Sequence, residues 1–260
     1  MSNLLQIFVS YKTSISDVTV IEECISRLDR SCIKTAILIN DFRPDDPITR
    51  LAGKVDYFIP NQDNLGYGAT INRFVRSLSS IPEYLAFLNT DISWDAGTFE
   101  KSIEFMRQNK SCVLMVPQIL NPDQSIAYLC KRNPTVLALL SRRFIPDIIK
   151  PKFLKQYDRW FVMRDHDYLE TIQASYLSGC CMIVRSLPFI ELGGFDESFF
   201  LYLEDADLTR SMQKYGLCMH VPFLSITHQW QRGSYKNLGL MYWNILSFFI
   251  YSNKWGWRLF

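Results

Sequence analysis

Short apolar runs that end abruptly in polar residues recur along the first half of the chain. They lie at residues 4–11, 35–41, 55–60, 84–88 and 112–118, and segments with apolar residues at helical spacing follow several of them. Such runs suit strands that are buried on both faces, and their alternation with helical segments is typical of a parallel sheet covered by helices. The pattern predicts an α/β fold with a mostly parallel central sheet.

The run at residues 84–88 is followed at once by Asn89, Thr90 and Asp91. Polar groups at the carboxyl end of a central parallel strand face the crevice in which open α/β sheets bind ligands. The same three residue types also favour simple turns, so the tripeptide alone leaves both interpretations open. An acidic cluster at residues 204–207, with His228 shortly after it, favours a ligand site at which Asp91 binds a metal.

The second half of the chain is less regular. Prolines at positions 134, 146 and 151 interrupt residues 132–171, which predicts an irregular insertion that could act as a lid over the site. Order resumes with a strand at residues 176–185, and the acidic cluster opens a helix from about 205 to 214 that ends at Gly216. Residues 238–251 are apolar almost all round and predict a C-terminal helical segment.

Composition limits the classes of function. The chain has 260 residues, of which 48% are hydrophobic, enough for one main core. The net charge of +2 and the dispersed basic residues argue against nucleic acid as a partner. Seven cysteines without a Cys-x-x-Cys pair suggest reduced thiols rather than a disulfide framework.

Membrane and targeting signals are weak. The N-terminus lacks a charged region followed by a long apolar core, and no uncharged apolar run of about 18 residues occurs, so we expect a cytoplasmic protein. The aromatic C-terminal segment carries Trp255, Trp257, Lys254 and Arg258, which suit a membrane interface. Peripheral contact with the inner face of the plasma membrane and packing on the main domain are both open.

The motifs taken together resemble the inverting family 2 glycosyltransferases with the GT-A fold, particularly the bacterial rhamnosyltransferase-like branch. The resemblance covers about residues 4–234. Its motifs are Ser10-Tyr11, Asn40-Asp41, Asn64 to Gly68 with Asn72, Asn89-Thr90-Asp91, Gly193 to Glu197, Glu204 to Leu208, and His228 with Gly233-Ser234. Each motif is common by itself, and their order and spacing make the combination specific.

The resemblance implies a donor site, and a domain division. Ser10, Tyr11 and Asp41 would contact the base and ribose of a nucleotide-sugar, with Asn64, Gly66 and Asn72 shaping the same pocket. The GT-A domain would span residues 1–234, with a nucleotide-sugar-binding half at 1–125, the insertion or lid at 126–175 and an acceptor and catalytic half at 176–234. Residues 235–260 would form the C-terminal helical segment.

The resemblance also implies a metal site and an acceptor contact. Asp91 matches the last acid of the family's DxD motif and would hold Mn2+ or Mg2+ on the donor diphosphate, and His228 would complete the site. Asn89 stands where the motif begins with an acid; an amide can still bond ribose or a metal-bound water but removes one negative charge. Trp230 could stack on the acceptor sugar or be packed in the fold.

An inverting transfer requires a base, and Asp205 is the candidate, with Glu204 as the second choice or an acceptor-binding group. A helix-capping acid is the plain structural alternative. By resemblance, the donor would be dTDP-rhamnose and the acceptor a lipid-linked oligosaccharide of O-antigen or capsule synthesis. A galactosyl, galactofuranosyl or N-acetylhexosaminyl transferase that uses a UDP-sugar is the alternative. A non-catalytic nucleotide-sugar-binding partner is a further hypothesis. A nucleotidyltransferase is another, but it would need a glycine-rich phosphate loop after the first strand, and Ser10-Tyr11-Lys12-Thr13 lacks the glycines.

Overall fold

A computed structural model describes residues 3–229 and 238–260. Within these ranges nine strands form one sheet. They are β1 (Leu4–Ser10), β2 (Ile33–Ile39), β3 (Tyr57–Pro60), β4 (Tyr84–Leu88), β5 (Ile92–Trp94), β6 (Cys112–Leu120), β7 (Ile172–Gln173), β8 (Cys181–Arg185) and β9 (Leu217–His228). The five strands predicted in the first half of the chain are all present.

The sheet changes character along its width. Its order is β3-β2-β1-β4-β8-β6-β9-β5, with β7 paired to β9. The first four strands are parallel, whereas β8 lies antiparallel between β4 and β6, and β9 is antiparallel to β5 and β7. The sheet is therefore more mixed than the predicted mostly parallel arrangement, because β8 enters next to β4 from the distant second half of the chain.

Helices cover both faces of the sheet. They are α1 (Ile15–Ser26), α2 (Tyr67–Ser77), α3 (Thr98–Gln108), α4 (Val136–Phe144), α5 (Lys152–Phe161), α6 (Ser186–Glu191), α7 (Glu204–Met212) and α8 (Leu238–Trp255), with a 3-10 helix at Pro47–Leu51. Alternate residues of β1 point into two separate cores. Leu4 and Phe8 pack with α1 and α3 on one face of the sheet, and Leu5 and Ile7 pack with α2 on the other face. This arrangement leaves the carboxyl ends of β1 and β4 at one edge.

The segment that the sequence predicts to be irregular contains two helices, α4 and α5. Its prolines do not interrupt them, because Pro134 precedes the N-cap residue Thr135 of α4 and Pro151 is the N-cap of α5. The helices are tied together by Asp158, which accepts hydrogen bonds from the Ser141 hydroxyl at 3.0 Å and from the Lys150 ammonium at 2.6 Å. The prediction that this insertion acts as a lid stays a prediction.

Helix α8 packs on the rest of the domain. The Trp243 ring stacks on Phe200 with centroids 4.3 Å apart, the Ser247 hydroxyl donates to the Leu201 carbonyl at 2.7 Å, and the Trp255 indole donates to Asp207 at 2.7 Å. No helix in the described ranges combines the length and apolar character needed to cross a bilayer. One face of the C-terminal helix therefore packs on the main domain, which was one of the two options. Membrane contact by this segment remains a prediction, and so does the division into domains.

Candidate active site

Asp91 and His228 meet where β4 and β9 end. The Asp91 carboxylate lies 3.0 Å from Nε2 of His228, although 137 residues separate them in sequence. The contact follows from the pairing of β5 with β9, which places Ile92 opposite His228, and the Gln229 amide donates to the Asp91 carbonyl at 2.9 Å. The two predicted metal ligands are therefore brought together by the sheet.

This pair provides a small but suitable donor set for a divalent cation. Among the described residues, no group of three or more His, Cys, Asp or Glu side chains is arranged to hold a metal ion. Mg2+ and related hard cations are commonly held by one or two carboxylates together with substrate phosphates. A carboxylate and an imidazole at the end of β4 fit a cation that is held jointly with a diphosphate.

Two adjacent acidic residues lie at the start of α7. Tyr202 and Leu203, which immediately precede this helix, both adopt positive φ angles of 71° and 63°. Non-glycine residues rarely adopt this conformation, and consecutive cases are typical of functional sites where the surrounding fold holds the strain. The turn directs Glu204 and Asp205 to the first turn of α7, as the sequence predicted.

Asp205 is held firmly in place. Its carboxylate accepts hydrogen bonds at 2.9 Å from the backbone amides of Gly179 and Ala206. Gly179 is required at this approach, since a Cβ there would lie 2.9 Å from Cβ of Asp205. Each carboxylate oxygen has a second lone pair, so an acceptor hydroxyl can still donate to Asp205.

Burial shapes the protonation of this acidic pair. It raises the pKa of the Asp205 carboxyl, whereas the Lys131 cation and the two amide hydrogen bonds act to lower it. Burial and then repulsion from Asp205 raise the pKa of the Glu204 carboxyl. Oε2 of Glu204 is buried without a hydrogen-bond partner among the described residues. Asp205 is therefore the better stabilised anion, and Glu204 the carboxyl that more readily keeps its proton.

Lys131 is a site residue that the sequence analysis missed. Its ammonium lies 4.0 Å from the centre of the Tyr176 ring, and its backbone exchanges two hydrogen bonds with Tyr176. Burial lowers the pKa of Lys131 to about 8, and Asp205 opposes that change. No local motif indicates this lysine, because it reaches Asp205 only through the bridge between residues 131 and 176. The only sequence signal for this part of the site was the run of small residues at 178–180, which follows Tyr176 and does not indicate Lys131 itself.

The two candidate sites border one cavity of about 350 Å³, which we call the catalytic cavity, although Asp91 itself is not among its lining residues. Asn89 and His228 line it, as do Glu204, Asp205 and Lys131. Helices α4 and α8 close it with Ala138, Leu139 and Arg142 from α4 and Asn244 and Phe248 from α8. The insertion and the C-terminal segment thus contribute directly to the cavity that the catalytic candidates share.

Three predicted donor-site residues lie at the ends of β1 and β2, outside the lining of the catalytic cavity. The Ser10 hydroxyl is 2.7 Å from that of Thr13, which donates to Thr90 at 3.3 Å and so links β1 to the Asn89–Asp91 turn. The side chain of Tyr11 is exposed, and Asp41 has a positive φ of 54° with its carboxylate 4.0 Å from Lys12. Their roles in binding a nucleotide stay predictions.

The remaining predicted residues support the backbone. Gly66 has a φ of 83° and lies so close to Phe200 that a Cβ would be 2.5 Å from its carbonyl oxygen, and the Asn64 side chain accepts from the Gly66 amide at 2.9 Å. Asn72 is buried and bonds in both directions to the Phe195 backbone, at 2.8 and 2.9 Å. In this structure Asn72 holds a loop rather than facing a cavity. Trp230 lies outside the described residues.

Comparison with known proteins identifies relatives at modest identity. No protein-family model matches the chain. It is 26% identical over 182 residues to the N-acetylglucosaminyl-diphospho-decaprenol L-rhamnosyltransferase of Mycobacterium tuberculosis, covering 65% of this chain and 57% of that protein. It is 27% identical over 150 residues to rhamnosyltransferase WbbL of Escherichia coli, covering 56% and 52%. The chain spans little more than half the length of these relatives.

Solved structures show the same fold at lower identity. GalNAc-T7 with UDP, GalNAc and Mn2+ matches with a TM-score of 0.62 and 12% identity, covering 88% of this chain and 43% of that one. Mannosyltransferase PcManGT from Pyrobaculum calidifontis with GDP-Man and Mn2+ matches with a TM-score of 0.59 and 12% identity, covering 89% of this chain and 58% of that one. TarS of S. aureus matches with a TM-score of 0.59 and 13% identity, covering 88% of this chain and 37% of that one. The predicted GT-A fold and the resemblance to rhamnosyltransferases are confirmed.

Proposed function

We propose that this chain is a metal-dependent inverting glycosyltransferase that moves a sugar from a nucleotide-sugar to a hydroxyl of a lipid-linked saccharide in surface-polysaccharide synthesis. The observation that carries the proposal is the catalytic cavity, which joins the Asn89 and His228 end of the sheet to the Glu204 and Asp205 pair at the start of α7. The rhamnosyltransferase relatives and the GT-A fold support the same reaction class.

Asp205 would act as the general base. Two backbone amides fix its carboxylate, and Lys131 favours the ionised form, so the group is oriented before the acceptor binds. An acceptor hydroxyl that donates to Asp205 becomes acidic as its oxygen bonds to the anomeric carbon, and the proton then passes to the carboxylate. The neighbouring Glu204 also lines the cavity and would bind another acceptor hydroxyl.

Asp91 and His228 would hold Mn2+ or Mg2+ together with the donor diphosphate. When bound, such a cation neutralises negative charge on the departing diphosphate as a Lewis acid. Asn89 adds a neutral polar group beside this site without a third negative charge. Ser10, Tyr11 and Asp41, at the adjoining strand ends, would contact the base and ribose, with Asn64 and Gly66 shaping the turn beside them.

Our preferred donor is dTDP-rhamnose, because the two sequence relatives are rhamnosyltransferases. The alternative is a UDP-sugar with a galactosyl, galactofuranosyl or N-acetylhexosaminyl group. GalNAc-T7, which was solved with UDP and GalNAc, shares only the fold. A lipid-linked saccharide is the preferred acceptor, because the mycobacterial relative is named for an N-acetylglucosaminyl-diphospho-decaprenol substrate.

A cytoplasmic enzyme with peripheral contact to the inner membrane face fits such an acceptor. Helix α8 and the residues after it leave several large apolar side chains exposed, namely Tyr242, Phe249, Trp257, Leu259 and Phe260. Aromatic side chains of this kind suit the boundary between lipid and water. Vesicle co-sedimentation of the intact chain tests this contact, and failure to bind anionic vesicles would remove it from the proposal.

Nucleotide titration tests the proposed function. Calorimetry of dTDP and of UDP, with and without Mn2+, should show tighter binding of one nucleotide with the metal present and loss of that gain in Asp91→Ala. Preference for dTDP supports the rhamnosyl donor, and preference for UDP moves the donor to the alternative class. If neither nucleotide binds, the donor site at Asp91 is wrong. Nucleotide binding without transfer or hydrolysis would favour a non-catalytic partner, for which Asn89 is the main support.

A further inference from the structure

A second, larger cavity adjoins the catalytic cavity. It measures about 870 Å³ and lies between residues 121–129 and the α4–α5 insertion. Leu129 and Arg142 line both cavities. The second cavity, which we call the insertion cavity, is therefore adjacent to the catalytic cavity, with Leu129 and Arg142 at their common border.

The insertion cavity is predominantly cationic. Its lining holds five basic side chains, Arg142, Lys150, Lys155, Arg159 and Arg164, and two acidic ones, Asp147 and Asp158. Lys150 bonds to both aspartates, at 2.9 and 2.6 Å, so these three groups largely satisfy one another. The excess positive charge comes from the four other cations, and arginine is well suited to bidentate binding of phosphate oxygens.

Apolar side chains border the cationic lining. Asp147 and Lys150 face the cavity, and Ile148 and Ile149 between them are 90% and 70% exposed. Phe144 and Phe153, which flank this loop on α4 and α5, are also exposed. An occupant that matches both features carries a compact multiple negative charge joined to an apolar chain.

We propose that the insertion cavity binds the diphosphate of a polyprenyl-diphosphate-linked acceptor, with the acceptor sugar in the catalytic cavity and the first part of the lipid against Phe144, Ile148, Ile149 and Phe153. This inference rests on the proposed function for the identity of the sugar. The named substrate of the mycobacterial relative has the same chemical order of sugar, diphosphate and polyprenyl chain.

Farnesyl diphosphate tests the anion site without a donor. Titration is made with Mn2+ and saturating dTDP or UDP, so that the nucleotide site is blocked. We expect Lys155→Glu with Arg159→Glu to weaken binding by about tenfold or more, because two charge-assisted contacts are replaced by repulsion. Both side chains are exposed on α5, and the neutral pair Lys155→Gln with Arg159→Gln should give an intermediate loss. Inorganic diphosphate measures the headgroup alone.

The matched control reverses two exposed cations on α3, Lys101→Glu with Arg107→Glu, which changes the net charge equally without touching either cavity. It should bind farnesyl diphosphate like the unmodified chain. Equal binding by the α5 variant, or complete competition by nucleotide, overturns the proposal. The donor-site titration of Asp91→Ala is separate, so a failed donor site and a failed insertion cavity give different results.

Two further readouts distinguish a lipid-linked diphosphate from ordinary anionic lipid. Phosphatidylcholine vesicles carrying a polyprenyl diphosphate should bind the chain better than phosphatidylglycerol vesicles of equal surface charge, and equal binding contradicts the proposal. In transfer assays, the preference for a diphosphate-linked acceptor over an alkyl glycoside of the same sugar should fall by about tenfold in the α5 variant and stay unchanged in the α3 control. An unchanged preference in both overturns the inference.

Discussion

The two ends of the catalytic cavity use acidic residues in opposite ways. At the β4 end, Asp91 lies beside a histidine in a small donor set that fits a cation shared with a diphosphate. At the start of α7, Glu204 is buried and Asp205 is partly buried, and burial raises the pKa of both carboxyls. The first arrangement attracts positive charge from outside, and the second retains or accepts protons. This difference supports the proposal that one end stabilises the leaving group and the other end accepts the proton.

Removal of the base should have the largest effect. Asp205→Asn keeps the shape of the side chain but cannot accept the acceptor proton, so kcat should fall by about 10²–10⁴-fold. Calorimetric affinity for the nucleotide with Mn2+ should stay unchanged, because the Asp91 end is intact. Near-normal turnover of this variant would mean that another group is the base.

A change at the other end should separate binding from proton transfer. His228→Ala removes one of the two candidate ligands, and nucleotide affinity with Mn2+ should fall by about tenfold or more, whereas affinity without metal should change little. Calorimetry in the two buffers measures both. The same loss with and without metal would indicate that His228 supports the fold rather than the cation.

Lys131 should tune the base without being required for chemistry. Lys131→Met removes the cation that lowers the pKa of Asp205, so that pKa rises and the carboxylate is lost at higher pH. The acidic limb of the kcat/KM profile should move upward by about one pH unit, with most activity retained at alkaline pH. Lys131→Arg is the control that keeps the charge and should restore the profile. A uniform loss at every pH would instead point to a purely structural role.

Glu204 should show the smallest effect, on stability. Its pKa is raised on folding, so the folded chain holds a proton that the unfolded chain releases, and stability falls as pH rises from the unfolded pKa through the folded pKa. Glu204→Gln has no such charge, and its Tm should exceed that of the unmodified chain by roughly 2–4 °C at pH 8.

At pH 4 both forms of residue 204 are neutral, so the two melting temperatures should agree. Thermal unfolding followed by circular dichroism at both pH values makes the comparison. An equal difference in Tm at pH 4 and pH 8 would show that packing, rather than charge burial, is responsible.

The sequence by itself determined most of what depends on local patterns. The apolar run before Asn89 predicted β4, and the acids at Glu204 and Asp205 predicted the first turn of α7, because periodicity and helix-start signals act over a few residues. The apolar segment after residue 238 likewise predicted α8. The irregular structure predicted for residues 132–171 from their prolines was wrong, since a proline can begin a helix as well as end one.

The tertiary structure alone decided which of these residues share a site. Asp91 meets His228 because β5 pairs with β9, and the bridge between residues 131 and 176 brings Lys131 to the cavity that Asp205 also lines. The Asn72 side chain likewise bonds the backbone of Phe195, 123 residues away in the sequence, while its part in shaping the nucleotide pocket stays a prediction. Such contacts depend on strand order and on segments that lie far apart in the sequence, 137 residues for Asp91 and His228. Local propensity contains no information about that distance, so only the folded chain reveals them.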